Sequence, residues 1–214
     1  MKNIHMFDID STLTGLDGTV RVLQEYFPEF KEEDLLDYDL RLSLIKSGHI
    51  DTEHDFDTYK VINARPHMFL EDEPRPYANE YLELLSKSGQ EIQLITARYH
   101  TDYRYKYTLD WANLHFPNIA ISEENLHFTR ANRKVNRVSS ALMKAHMMKK
   151  EVTVHLYEDK AETLKQCLGT YKELIRLYGI DKYATLKLYK VLTPYNKCYK
   201  PQEVKTIKCW SELL

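Results

Sequence analysis

Residues 4–14 read IHMFDIDSTLT, an apolar run that ends in two aspartates one residue apart. Side chains alternate along a strand, so Asp8 and Asp10 share a face if the strand continues. Where a buried strand ends and its backbone turns away, both carboxylates can converge on the space in which open α/β sheets bind ligands. Two carboxylates this close repel unless a cation separates them or one is protonated. Mg²⁺ suits such oxygen ligands, although a bare pair of this kind is more often two solvated loop acids or helix caps.

Composition describes an ordinary globular protein. The chain has 214 residues, of which 43% are apolar and 29% charged, with a formal net charge of −2. This length allows one sizeable core, or a core with a small cap, and the charge gives no general attraction to nucleic acid. Three widely spaced cysteines, Cys167, Cys198 and Cys209, indicate a reducing compartment rather than a disulfide framework or zinc site. With neither a signal peptide nor a membrane-spanning apolar run in view, we expect a cytoplasmic protein.

The stretch between residues 16 and 75 contains no convincing pair of strands. Apolar spacing favours helices at residues 20–27, 32–45 and 51–63. The sequence therefore predicts a small helical unit that follows the first strand.

From residue 76 onward, predicted strands and helices alternate. Strands are predicted at residues 92–96, 126–129, 152–157 and 186–192. Helices are predicted at residues 79–88, 101–115, 134–148 and 162–178. The run at 186–192 is predicted to be the last strand. Such alternation indicates an α/β fold, a Rossmann-like and mostly parallel sheet with helices on both faces. We predict a core of residues 1–15 and 76–214, with residues 16–75 as a helical cap.

Four polar residues follow later predicted strands: Thr96, Lys134, Glu158 and Asp159. A hydroxyl at Thr96, with the free backbone N–H groups of a turn, can hold a phosphate oxygen. A lysine at position 134 can neutralise both a phosphate and an attacking carboxylate. Taken singly, such a threonine is usually structural, such a lysine is usually on the surface, and paired acids after a strand often cap the next helix. Their order along the chain is more specific than any one of them.

The order Asp-x-Asp, strand-Thr, Lys and strand-Glu-Asp resembles the four motifs of the haloacid dehalogenase superfamily, over essentially the whole chain. The insertion at residues 16–75 resembles the first type of helical cap in that superfamily. Four shorter patterns resemble its 5′(3′)-deoxyribonucleotidase branch, which includes proteins of bacteria and phages. They are DYDL at 37–40, ITAR at 95–98, YED at 157–159 and TPYN at 193–196.

The resemblance implies a role for each matching residue. Asp8 matches the nucleophile, and Asp10 matches the general acid/base. The implied phosphate-binding groups are Thr96, Lys134 (with Lys144 as the fallback) and Arg98, which could instead reach an adjacent acid. The implied Mg²⁺ ligands are Asp8, the backbone carbonyl of Asp10, and Asp159, with Glu158 in the outer shell. Two departures stand out: Ser11 occupies a position that is glycine in many members, and a long segment separates Lys134 from Asp159.

These roles predict a hydrolase, an Mg²⁺-dependent phosphomonoesterase that acts as a 5′-nucleotidase on (deoxy)nucleoside monophosphates through an aspartyl-phosphate. Tyr38, Phe56 and Phe69 of the cap could stack on a base, or could form the cap's own small core. The expected partner is a small phosphorylated substrate, with no membrane and no prediction of oligomeric state.

Alternatives remain open at this stage. Residues 130–150 carry seven Lys and Arg residues and no acid. This run suits either a solvated helix face or a nucleic acid backbone, and the second would make the protein a polynucleotide-end phosphatase. The substrate could also be another small phosphorylated metabolite. A relative that binds a phosphorylated ligand without catalysis is the alternative from another class, and the intact acids argue against it.

Overall fold

A computed structural model describes residues 2–37, 39–63, 70–98, 101–129, 133–200 and 203–214. Its centre is a sheet of six strands in the order β3-β2-β1-β4-β5-β6, in which every neighbouring pair is parallel. The strands are β1 (Lys2–Asp8), β2 (Glu91–Thr96), β3 (Leu126–Phe128), β4 (Val152–Glu158), β5 (Ala184–Val191) and β6 (Val204–Ile207).

Seven α-helices lie between these strands in the part of the chain that is described. They are α1 (Asp17–Gln24), α2 (Leu40–Lys46), α3 (Thr58–Asn63), α4 (Ala78–Lys87), α5 (Asp102–His115), α6 (Lys134–Met148) and α7 (Ala161–Tyr178). Short 3₁₀ helices occur at Glu32–Asp34, Ile180–Lys182, Pro194–Asn196 and Trp210–Leu213. Across the described residues, no helix combines the length and apolar character that crossing a bilayer requires.

The alternation of side chains along β1 divides the core between the two faces of the sheet. Phe7 is buried with apolar residues of α4 and α5. Ile4 and Met6 are buried on the opposite face with residues of α6 and α7. A parallel sheet covered on both faces in this way has the predicted fold class.

Rings stack along the face of the sheet that carries Phe7. Tyr157 and Phe7 are nearly parallel, with ring centroids 4.4 Å apart. His155 and His5 stack at 4.3 Å, because the register of β1 and β4 places these two residues opposite each other. Trp210 is fully buried, with its ring centroid 5.7 Å from that of Phe7. The sheet centre is therefore packed by aromatic contacts between strands, which add to its stability.

Two of the three helices described in the insertion, α2 and α3, are shorter than the apolar spacing predicts. The predicted helix at 32–45 is confirmed only in its second half, since the stretch contains the 3₁₀ turn Glu32–Asp34 and then α2. Asp39 starts α2 by accepting hydrogen bonds from Arg41 N and Leu42 N. The predicted helix at 51–63 is only α3, and the Asp57 carboxylate accepts from Lys60 N in its first turn. Aspartates that cap these N–H groups set where the helices begin, a signal that apolar spacing does not contain.

The prediction that residues 186–192 form the last strand is also wrong. β6 follows β5 and pairs with it in parallel, with Leu188 opposite Val204. Only four residues long, β6 buries Val204 and Ile207 at its two ends. So short a run carries too few apolar positions to show a period in sequence.

The insertion has an apolar cluster of its own. Leu23, Phe30, Leu35, Leu44 and Ile50 are buried together there. Its two connections to the core run side by side, because Thr14 and Pro74 form an antiparallel bridge and Arg75 N donates to Leu13 O at 2.7 Å. These contacts agree with the predicted division into a core and a helical cap, which stays a proposal.

Candidate active site

The polar residues singled out in sequence converge at the carboxyl ends of β1, β2 and β4. β1 lies between β2 and β4 in the sheet, so the chain continues to one side of β1 first and to the other side later. Ligand sites of open α/β sheets form at such a point.

A tight turn follows β1 and separates the two aspartates. Ile9 O accepts from the N–H groups of Thr12, Leu13 and Thr14 at 3.2, 2.9 and 3.1 Å. Ser11 has φ +62°, in the left-handed region that favours glycine. Ser11, which stands where many members of the superfamily branch have glycine, thus adopts a backbone conformation that costs a non-glycine residue on the order of 1 kcal/mol.

Three buried carboxylates meet at the ends of β1 and β4. Asp8, Glu158 and Asp159 each offer one oxygen, and these oxygens lie within 4.8 Å of one another. Lys134 Nζ lies 2.7 Å from Asp8 Oδ1 and 2.9 Å from Glu158 Oε2. Lys134 is buried at the start of α6, whereas the fallback, Lys144, is exposed on the same helix. The long segment between Lys134 and Asp159 is α6, the turn after it and β4, which returns the chain to the same edge.

Burial and mutual repulsion control the charges of this group. Burial raises the pKa of Asp8 well above its usual value, and Glu158 adds to the effect while Lys134 opposes it. Burial and Glu158 likewise raise the pKa of Asp159 to about 6. Burial opposes the charge of Lys134, but Asp8 and Glu158 outweigh it and raise the pKa of the ammonium group. Three carboxylates face one ammonium group, so the group carries a negative surplus when all three are ionised.

That surplus fits a divalent cation. Buried carboxylate oxygens in this arrangement are the ligands that Mg²⁺ prefers, and a cation would relieve the repulsion among the three acids. Sequence assigned the ligands to Asp8, the backbone carbonyl of Asp10 and Asp159, and left Glu158 in the outer shell; the role of the Asp10 carbonyl stays a prediction. In the structure the carboxylate of Glu158 belongs to the close group, whereas the carboxylate of Asp10 is bound elsewhere.

Arg98 holds the carboxylate of Asp10. Its Nη2 and Nε lie 2.6 and 2.9 Å from Asp10 Oδ1, and Nε lies 3.2 Å from Oδ2. Thr96 Oγ1 donates to Asp10 Oδ2 at 3.2 Å and accepts from Arg98 N at 3.1 Å. Arg98 is buried, and Nη1 donates to Thr108 Oγ1 at 3.0 Å. Thr96 and Arg98, both from the ITAR pattern, thus bind the same carboxylate, that of Asp10. Phosphate binding by Thr96 and Arg98 stays a prediction.

Sequence reasoning missed Asp72, which lies on the second connection between insertion and core. Its buried carboxylate accepts from Gly18 N at 3.0 Å and lies 3.6 Å from Arg98 Nη2. Its backbone carbonyl accepts from Trp111 Nε1 at 2.7 Å. Burial raises the pKa of Asp72 to about 7, against the opposing effect of Arg98. An acid among loop prolines gives no local signal of these contacts.

Sequence reasoning also missed the residues that hold Asp159. Thr12 Oγ1 donates to Asp159 Oδ1 at 3.2 Å, and the hydroxyl of Tyr195 donates to Asp159 Oδ2. Asn196 Nδ2 donates to the backbone carbonyl of Asp159 at 2.7 Å. The TPYN pattern was noticed in sequence without a role, and two of its four residues bind this acid.

Of the three aromatic residues suggested for base stacking, the structure describes Phe56. Phe56 packs against the apolar cluster of the insertion, with ring centroids 5.3 Å from Tyr26 and 4.9 Å from Phe27. This packing is the alternative that sequence left open for Phe56, and base stacking by Phe56 stays a prediction. Tyr38 and Phe69 lie outside the described residues.

The basic residues of the run at 130–150 differ in their surroundings. Lys134 points into the acid group, and Arg137 binds Gln93 and His127. The other described members are exposed: Arg133, Lys144, Lys149 and Lys150.

No protein-family model matches the sequence, and no curated protein matches it. Solved structures do match. A HAD family hydrolase from Deinococcus radiodurans R1, with bound phosphate and sodium, aligns with a TM-score of 0.56 and 16% identity over 99% of this chain and 93% of that chain. CbbY from Rhodobacter sphaeroides, in complex with phosphate, aligns with a TM-score of 0.56 and 14% identity over 100% and 96%. A HAD hydrolase of family IA, variant 3, from Entamoeba histolytica aligns with a TM-score of 0.54 and 12% identity, over 100% of this chain and 96% of that chain.

The chain therefore has the fold of the HAD hydrolases, over essentially its whole length. This is the fold that the resemblance to the haloacid dehalogenase superfamily predicts. At these identities the likeness concerns the fold, and the nucleotidase branch stays a prediction.

Proposed function

We propose that this protein is an Mg²⁺-dependent phosphomonoesterase whose nucleophile is Asp8. The observation that carries the proposal is the buried Asp8 carboxylate at the end of β1, 2.7 Å from Lys134 and grouped with Glu158 and Asp159. A carboxylate beside a fixed ammonium group is arranged to receive a phosphate, whose oxygens the ammonium neutralises. The phosphate in two crystal structures of the same fold agrees with this chemistry.

The first chemical step is attack on phosphorus. An Asp8 oxygen forms a bond to phosphorus while the bond to the ester oxygen breaks, as in-line phosphoryl transfer requires. Asp10 is the general acid, and in its protonated form it gives a proton to the departing oxygen. Arg98 and Thr96 fix the Asp10 carboxylate through four contacts of 2.6 to 3.2 Å, so the acid is oriented before substrate arrives.

The second step releases phosphate. Asp10 takes a proton from water as the water oxygen attacks phosphorus, and the bond between phosphorus and Asp8 breaks. Both aspartates return to their starting states, so the cycle balances with water as the only co-substrate. Asp8, Glu158 and Asp159 are the residues that would hold Mg²⁺, which when bound supplies positive charge to the phosphate oxygens.

The substrate class we propose is a nucleoside monophosphate. Its support is the set of patterns at residues 37–40, 95–98, 157–159 and 193–196, which resemble the deoxyribonucleotidase branch. The helical insertion joins the core at residues 13–18 and 70–75, next to the turn that follows Asp8. The insertion would therefore border the leaving group and select it.

Released phosphate tests this function. Wild-type protein is assayed with Mg²⁺ and then with chelator on nucleoside monophosphates, an end-phosphorylated oligonucleotide and an aryl phosphate, and Asp8→Asn is assayed beside it. We expect Mg²⁺-dependent release from a mononucleotide, reduced by roughly 10⁴-fold or more in Asp8→Asn. Preference for the oligonucleotide, lost as salt rises, would replace the nucleotidase by an end phosphatase. Ligand binding with no release from any substrate would favour the non-catalytic alternative.

A further inference from the structure

Tyr195 contacts both the acid group and the helical insertion. It lies in the 3₁₀ helix Pro194–Asn196, directly after β5. Its ring packs against the apolar cluster of the insertion, and the other described members of that cluster all lie between residues 16 and 56. Its hydroxyl donates to Asp159 Oδ2. One side chain thus has an apolar end in one region and a polar end in the other.

The backbone around Tyr195 is fixed to the core. Asn196 Nδ2 donates to the carbonyls of Asp159 and Val191, both at 2.7 Å. Lys190 is buried, and its Nζ donates to Asn196 O at 3.2 Å. Thr193 N donates to Asn196 Oδ1 at 3.0 Å. The turn therefore belongs to the core, and the ring of Tyr195 is the part that reaches the insertion.

Both carboxylate oxygens of Asp159 accept a hydrogen bond, and the two donors come from different parts of the chain. Thr12, from the turn after β1, donates to Oδ1, whereas Tyr195 donates to Oδ2. Hydrogen bonds to a ligating carboxylate fix its direction and affect metal affinity. The orientation of Asp159 is therefore set in part by a side chain whose ring packs against the insertion.

We propose that Tyr195 is a positioning residue that couples packing of the insertion to the affinity of the Asp8, Glu158 and Asp159 group for a divalent cation. The inference rests on the proposed function, because it requires that group to bind the cation. When the insertion packs against the ring, the hydroxyl holds Asp159 in its binding orientation. By linkage, cation binding favours the packed insertion by the same factor.

Calorimetric titration of the full chain with Mg²⁺ tests the hydroxyl. Tyr195→Phe keeps the ring in the cluster and removes the hydrogen bond, so we expect the affinity to fall by about 10- to 100-fold. Tyr171→Phe is the matched control, because Tyr171 also donates one hydrogen bond, to Ala184 O at 3.0 Å, and lies outside the acid group. The control should bind Mg²⁺ as the wild type does. Circular dichroism confirms that both variants are folded.

A second variant tests the insertion's side of the coupling. Leu35 is buried in the cluster, beside the 3₁₀ turn Glu32–Asp34 that contacts Pro194–Asn196. Leu35→Ala should also weaken Mg²⁺ binding. Hydrogen exchange supplies the reciprocal measurement: Mg²⁺ should slow exchange of amides at residues 16–56 in the wild type, and the slowing should be lost in Tyr195→Phe.

The outcomes separate this inference from the function on which it rests. If Tyr195→Phe binds Mg²⁺ within twofold of the wild type, or if Mg²⁺ slows exchange equally in both, Tyr195 does not couple the regions and only this inference fails. If Leu35→Ala leaves the affinity unchanged, packing of the insertion has no effect and the inference fails as well. If the wild type binds no Mg²⁺, the proposed function fails and this inference fails with it.

Discussion

The carboxyl edge of the sheet and the helical insertion use burial in opposite ways. At the edge, Asp8, Glu158, Asp159 and Lys134 are all buried, and each charge depends on the others. In the insertion the buried cluster is apolar, and its ion pairs, such as Lys46 with Asp37, remain partly in solvent. Buried charges are costly unless they are paired, so the edge depends on the large sheet for its stability. The insertion is packed around its small apolar cluster, so its packing depends on apolar burial rather than on paired charges.

Removing the ammonium group at the edge should give the largest change. Lys134→Ala leaves three buried carboxylates without their lysine, and we expect the free energy of unfolding in chelator to fall by about 3–5 kcal/mol. Lys144→Ala on the same helix replaces an exposed lysine and should stay within about 0.5 kcal/mol of wild type. Urea denaturation measures both. Equal effects of the two variants would show that charge pairing at the edge does not matter for stability.

A cavity in the insertion should have a local effect. Leu44→Ala removes a fully buried side chain from a cluster confined to residues 16–56 and Tyr195. We expect the opening free energy of those amides to fall by about 2–5 kcal/mol, as hydrogen exchange measures it. Leu156→Ala in β4 is the control and should lower protection across the sheet. If Leu44→Ala also lowered protection throughout the sheet, the two regions would form a single cooperative unit.

Acid should weaken the core through its stacked histidines. Burial lowers the pKa of His155 to about 4, with Lys187 adding to the effect, and burial together with His155 lowers that of His5 to about 3. Below the ordinary histidine pKa near 6.5, the unfolded chain binds protons that the folded chain does not, so stability falls from about pH 6.5 toward pH 4.

His155→Gln should reduce that loss of stability by about 1–2 kcal/mol, after allowance for solvent screening. His54→Gln, in an exposed position of the insertion, is the control substitution. Denaturation midpoints at pH 4.5, 5.5 and 6.5 measure the slope. An unchanged slope in His155→Gln would mean that His155 takes up its proton equally in both states.

Asp72 lies where the two regions meet, and its replacement should have the smallest effect. Asp72→Asn keeps an oxygen for Gly18 N but removes the negative charge that Asp72 carries above about pH 7, 3.6 Å from Arg98. We expect kcat to fall by about fivefold, on the order of 1 kcal/mol, because Arg98 holds Asp10 less firmly. KM should hardly change. A loss of activity that appears only in KM would assign Asp72 to substrate binding instead.

Most of the core could be predicted because its signals are local. Residues 134–148 show the apolar spacing of a helix, and α6 has those same bounds. Asp8, Lys134 and Asp159 could be found as a group because parallel strands end at the same edge, so polar residues after different strands meet there. The strand at 204–207 depends on pairing with β5, and the starts of α2 and α3 depend on single capping aspartates. The apolar spacing of the sequence shows neither feature.

The residues that support the site could not be predicted in the same way. Asp72 meets Arg98 across 26 positions of sequence, and Tyr195 meets Asp159 across 36. Neither contact follows from a strand end or a helix period, because each joins a loop to a residue placed by the whole fold. The TPYN pattern gave notice that the loop at 193–196 mattered, but not which acid it would touch.

The chain contains two tryptophans, and they lie in different parts of this arrangement. Trp210 is packed among the rings of the sheet, whereas the indole N–H of Trp111 binds the carbonyl of Asp72 on the connection to the insertion. Each ring therefore gives an optical signal from its own surroundings. Trp111→Phe leaves an emitter that follows the sheet, and Trp210→Phe leaves one that follows the connection, so intrinsic fluorescence could time movement of the insertion during turnover without an added label.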